Sequence, residues 1–203
     1  TRRTNMNGYH FHNDKLRDGR EMPDIGEWLV HDGPIIPCKC GLHASEHPYD
    51  ALMYAPGPFL DRVELDGELV AHGNPPDKWC GRRRRRIATV DATAILREFA
   101  RWCAMQVIDL WDAPPVVREF LTTGDESLRP AARDAARAAA RDAQDTWAGR
   151  AAARAAAWAA RDTACPVWDT ARDAQDAAWA AAWDAQREQF RAMVDAAFAA
   201  EGE

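Results

Sequence analysis

Leucine and isoleucine are missing from this chain after Leu128: neither occurs from Ala131 to the C-terminus. A core built on Leu and Ile is therefore excluded over that stretch, and whatever packs there must use other side chains. Long apolar runs are also lacking. Arg or Asp interrupts every alanine stretch well short of the ~20 residues that span a bilayer, so no membrane-spanning segment is expected. Cysteine is sparse and odd in number (Cys38, Cys40, Cys80, Cys103, Cys165), with no secretory leader ahead of it, which predicts reduced thiols and a cytoplasmic setting. No phosphate-cradling P-loop, dinucleotide glycine fingerprint or nucleophile elbow stands in the sequence. Positive charge is in deficit overall, at a net −6, although residues 1–86 balance with 13 Lys/Arg against 13 Asp/Glu. A chain so charged is no generic polyanion binder, and nucleic-acid contact would need a local basic patch.

What fills the C-terminal stretch is alanine, 31 of the 70 residues from 131 to 200, with Arg, Asp, Gln and Trp. The pattern predicts a helical arm over 126–203, broken once at Pro166, because proline removes a helix hydrogen bond. Trp168, Trp179 and Phe190 are 11 apart, as are Arg172, Trp183 and Val194, and Asp176, Arg187 and Phe198; Trp147 and Trp158 repeat the interval. Eleven residues over three turns keep such a stripe nearly straight. The stripe predicts an ordered packing surface, an antiparallel hairpin or kinked rod suited to self-association, with tryptophan supplying the area alanine lacks.

Residues 1–122 read differently, as an α+β module. Short strands are expected at Gly8–His12, Trp28–Val30, Ile35-Ile36, Leu42–Ala44 and Arg84–Val90. Asp66-Gly67, between Arg62–Leu65 and Glu68–Val70, is the strongest hairpin signal. Pro48 opens a short helix through Ala55. Asp91 can cap a helix reaching Trp111, and Val116–Leu121 adds another before the hinge Thr123-Gly124-Asp125.

Three constellations carry chemistry. Cys38, Cys40, His43 and His47 offer zinc-type ligands, but their crowding leaves too little chain to fold around a tetrahedral ion, which favours thiols in a turn and no metal. The run Arg82–Arg86 suggests phosphate or nucleic-acid binding. In a strand, alternate residues face opposite ways, so at most three of the five line one surface, and an edge strand guarded by charge explains them equally well. His10 and His12 share one face of the first strand, as a structural pair or as site residues.

Gly41-Leu42-His43-Ala44-Ser45, followed by Pro48, Asp50-Ala51-Leu52 and Tyr54-Ala55-Pro56-Gly57, resembles a family of bacteriophage and bacterial proteins. The likeness takes in Gly26–Leu29, His31–Pro34, Asp91–Thr93 and the segment Thr123–Glu126 before an Ala/Arg/Asp/Trp tail. That family has no established activity, so the resemblance implies a phage or prophage setting and no reaction.

A second resemblance is one of pattern. A His-bearing first strand, a Gly-Leu-His-Ala strand, a short helix ending in Tyr-Ala and a strand like Val63–Leu65 are similar in order to the ADP-ribosyltransferase core. The resemblance implies a split sheet around NAD, with His10 or His12 on the nicotinamide ribose and His43 beside the nicotinamide. Ser45 and Tyr54 would lie in the same pocket. The family's final acidic residue has no match; Arg86 stands there, as an arginine does in the RNA 2′-phosphotransferase branch. The expectation is therefore an α+β protein whose module handles a nucleotide such as NAD through His10, His12, His43, Ser45, Tyr54 and Arg86. The alternatives are a non-enzymatic oligomeric protein binding a host or phage factor, and nucleic-acid binding through Arg82–Arg86.

Overall fold

The computed structural model describes residues 4–16, 18–142, 147–160 and 181–201. Among these residues the chain is α+β, with two antiparallel sheets and six α-helices. It divides into two compact units, Thr1–Ala92 with Val194–Glu203, and Thr93–Met193.

In the first unit, β1 (Asn5–His12), β4 (Phe59–Asp66), β7 (Arg83–Asp91) and β2 (Trp28–Val30) form one sheet in the order β1-β4-β7-β2. A second sheet holds β3 (Leu42–Ala44), β6 (Pro76–Gly81) and β5 (Val70–Gly73). The sheets meet where Tyr9 and Ser45 exchange backbone hydrogen bonds of 2.8 and 3.0 Å. Gly8 permits that approach, since a Cβ there would stand 2.6 Å from the Ser45 carbonyl oxygen. Met6, Ala44, Val63, Leu65 and Leu69 fill the space between the sheets, with Leu42 and Trp79 against them. On the other face, Tyr9 and Arg62 reach Asp195, and the Arg62 guanidinium lies 4.4 Å from the centre of the Phe198 ring.

The Asp66-Gly67 hairpin is not formed. Both edges of β4 are already taken, by β1 and β7, so the chain after Asp66 leaves this sheet and β5 pairs with β6 instead. The strand β6 is itself an addition, hidden in the sequence behind Pro75-Pro76. Ile35-Ile36 gives only an isolated bridge from Ile36 to Cys40, and the helix at Pro48 (α1, Pro48–Leu52) stops before Tyr54.

The second unit contains α2 (Thr93–Met105), a 3-10 turn at Ile108–Leu110, α3 (Pro115–Thr123), α4 (Arg129–Asp142) and α5 (Trp147–Ala159). The helix expected to reach Trp111 thus ends at Met105, and Asp91 belongs to β7. α5 lies against α2, α3 and α4. Its Ala151, Ala152, Ala153, Ala155 and Ala156 are all buried, so a methyl-sized side chain is what lets three neighbours close on one helix. The last helix, α6 (Ala181–Ala200), contributes to both units. Its Phe190, Val194 and Phe198 are buried, and Phe190 packs on Phe99 with ring centres 4.8 Å apart. The expected break at Pro166, with Trp168, Arg172, Asp176 and Trp179 of the stripe, lies outside the described residues. No helix among the described residues is long and apolar enough to cross a membrane.

Candidate functional site

A cleft of ≈ 960 Å³ opens in the first unit, within the range of small-molecule sites. His10, His12, His43, Ser45 and Tyr54 all line it. Arg86 does not; Arg84 does, joined by Lys78 and Cys38.

The strand register explains this gathering. His10 is paired with Asp61 and His12 with Phe59, so both imidazoles share a face with the Asp61 carboxylate. The register of β4 with β7 slips between Arg62 and Val63, so that Val63 opposes Arg86 and Asp61 opposes Thr89. Ile87 is the extra residue, 48% exposed. The bulge turns both Arg86 and Thr89 toward Asp61. Arg86 Nε donates to Asp61 Oδ2 at 3.1 Å and its Nη1 to the Pro23 carbonyl at 3.0 Å. Burial pushes the Asp61 carboxyl up, but His12, Thr89 and Arg86 outweigh it and hold the group below its ordinary value.

Each histidine has a distinct state. His12 Nδ1 accepts the Asp14 backbone N–H at 3.0 Å, and its Nε2 faces Asp61 Oδ1 at 3.3 Å. Since Nδ1 accepts, the proton of a neutral ring sits on Nε2, which is buried beside Asp61 without a hydrogen bond of good geometry. His43 Nε2 accepts the Cys38 backbone N–H at 3.2 Å, so its proton sits on Nδ1. His10 is held neutral: burial lowers it well below its ordinary value, and Arg84, His12 and His43 add to the effect. Tyr54 donates to Asp77 Oδ2 at 2.6 Å; burial and then that bond push its hydroxyl up.

The run of five arginines divides as alternation requires. Arg83 and Arg85 face outward over the Trp28 ring, 5.1 and 4.8 Å from its centre, and pair with Asp66 and Glu64. Arg82 donates to the His31 and Gly33 carbonyls. Arg84 is buried and donates to the His43 carbonyl at 2.7 Å. Burial brings its guanidinium down to about 10, against the attraction of Asp61 and with the repulsion of Arg86. Every arginine of the run therefore has a protein acceptor, and Arg84 alone turns to the cleft.

The cysteine–histidine cluster takes separate roles. His47 caps α1 by accepting the Tyr49 N–H at 3.1 Å, Cys40 donates to the Pro34 carbonyl, and Cys38 meets Lys78. Gly41, at φ +109, brings the chain so near Cys80 that any Cβ would collide with its sulfur. Among the described residues no three His, Cys, Asp or Glu are grouped to hold a metal ion.

Sequence reasoning missed Asp61 and Lys78, and from the run Arg82–Arg86 it named Arg86 for the pocket where Arg84 lines it. Asp61 was detectable as a charge at a position sharing its alternation with Val63 and Leu65. Arg84 shares the face of Arg86, so choosing between them needed the cleft. No protein-family model, curated protein or solved structure matches the chain, and the cleft itself carries the functional reading.

Proposed function

We propose that the first unit binds a nucleotide such as NAD in this cleft, in the manner of the ADP-ribosyltransferase core. The observation that carries the reading is a pair of buried cations. Arg84 is 6% exposed and Lys78 7%, and neither forms an ion pair with a carboxylate among the described residues. A buried charge without a counter-charge costs several kcal/mol, and an anionic group in the cleft offsets that cost. A pyrophosphate supplies two such groups, while the neutral His10 offers a hydrogen bond to ribose or amide and His43 lines the same cleft. The acid that orients the ribose in such transferases has no counterpart here, so the proposal stops at binding and includes no transfer step. The setting proposed from the motif resemblance is that of a phage or prophage accessory protein in a bacterial cytoplasm.

The alternative, an oligomeric interaction protein assembled through a hairpin or rod about Pro166, has less support. Phe190, Val194 and Phe198 of the expected stripe are covered by the chain itself. Nucleic-acid binding through Arg82–Arg86 is weakened in the same way, since Arg82, Arg83, Arg85 and Arg86 are held by protein acceptors and Arg84 is buried toward the cleft.

Thermal unfolding with NAD, ADP-ribose and inorganic pyrophosphate tests the proposal. Ligand at roughly tenfold over Kd raises Tm by about 3–5 °C. No rise with any of the three at millimolar concentration, or an equal rise in a folded Arg84→Gln protein, would sink it.

A further inference from the structure

Cys38 stands in the turn between Ile36 and Cys40, exposed and at the edge of the cleft. Lys78 Nζ lies 3.3 Å from its sulfur. Lys78 as a whole is almost wholly buried, and its Nζ also lies over the face of the Tyr54 ring, 3.5 Å from the centre. The adjacent carboxylate is occupied: Asp77 takes the Tyr54 hydroxyl on one oxygen and faces His72 Nδ1 at 3.0 Å with the other. A buried cation with no carboxylate is thus aimed at an accessible sulfur.

The remaining thiols among the described residues are placed otherwise. Cys40 donates to the Pro34 carbonyl at 3.1 Å. Cys80 is buried, donates to the Cys40 carbonyl at 3.3 Å, and is pushed up to about 11 by burial and then by Cys40. Cys103 lies buried in α2, with burial pushing its thiol well up. Cys38 is the one of the four whose sulfur accepts from a cation.

Since thiol nucleophiles react as the sulfur anion beside a neighbouring cation, we propose that Cys38 is a site of covalent modification by soft carbon electrophiles, with Lys78 as counter-ion to the attacking sulfur. With iodoacetamide as the electrophile, the sulfur forms a bond to the methylene carbon. The carbon–iodine bond breaks, iodide leaves with the bonding pair, and the thiol proton passes to water. The modification shares Lys78 with the binding proposal but requires neither a nucleotide nor Arg84, so an Arg84→Gln protein separates the two.

The test is time-resolved alkylation of the full chain with iodoacetamide, followed by peptide mapping of Cys38, Cys40, Cys80 and Cys103. Cys38 should label at least about tenfold faster than the other three, slow by about fivefold or more in Lys78→Met, and recover in Lys78→Arg. A folded Lys78→Met protein that labels at the wild-type rate overturns the proposal. So does wild-type protein in which Cys40 labels as fast as Cys38, a comparison that needs no variant to fold.

Discussion

His12 Nε2 stands 3.3 Å from Oδ1 of Asp61, a carboxylate with no exposed surface, whose other oxygen takes the Arg86 guanidinium. Asp61 therefore joins the first strand's imidazole to the arginine run through the middle of the sheet. Arg86 stands behind the cleft, while His10, His12, His43, Arg84 and Lys78 line it.

Removing the Asp61 charge should be severe. Asp61→Asn leaves Arg86, 15% exposed, without its counter-charge, and breaking one side of a buried pair costs about 3–5 kcal/mol. Urea denaturation followed by circular dichroism should show a midpoint shift of that size. A change below about 1 kcal/mol would mean that solvent or another group neutralises Arg86.

The pH dependence follows from His10. Its folded-state value lies below the ordinary 6.5, so as pH falls through 6.5 the unfolded chain binds a proton that the folded chain refuses. Stability is complete above that point and declines below it, by at most about 1.4 kcal/mol per pH unit. Asp61, also lowered, adds its own loss only below the ordinary carboxylate value of 3.8. Urea midpoints between pH 7 and 5 should therefore slope in the wild type and flatten in His10→Gln. Equal slopes in both proteins would place the proton uptake elsewhere.

Alanine in α5 is predicted to be a size limit. Ala155 is fully buried in the second unit, and Ala155→Leu adds methylene groups where α2, α3 and α4 close in. Overpacking of this kind costs about 1–3 kcal/mol, read as a lower thermal midpoint. If the variant were as stable as wild type, α5 would have room that its burial denies.

How much of this was legible in the sequence varies with the physics of each element. Strands with clear alternation or turn boundaries, such as Trp28–Val30 and Leu42–Ala44, stand where expected. The Asp66-Gly67 signal failed because turn chemistry is local, whereas sheet edges are a tertiary resource and β4 had none to offer. β6 was hidden by its prolines. His10, His43 and Ser45 were nameable by residue type and motif, and they share one cleft. Lys78 was not nameable, and Arg84 could not be told from Arg86 within its run, because what distinguishes them is burial at the cleft, a property no spacing encodes. The alanine-rich stretch reads correctly as helix over Arg129–Asp142, Trp147–Ala159 and Ala181–Ala200. Its enclosure of α5 is a matter of long-range packing.

The most direct measurement is isothermal titration of NAD and of inorganic pyrophosphate into the full chain, beside Arg84→Gln and Lys78→Gln proteins verified as folded. Nucleotide binding at the cleft predicts saturable one-to-one heat for wild type, with affinity lowered about tenfold or more in each variant, since charge-assisted bonds to phosphate are worth roughly 1.5–3 kcal/mol. No heat with wild type, or affinities unchanged by both substitutions, would contradict it.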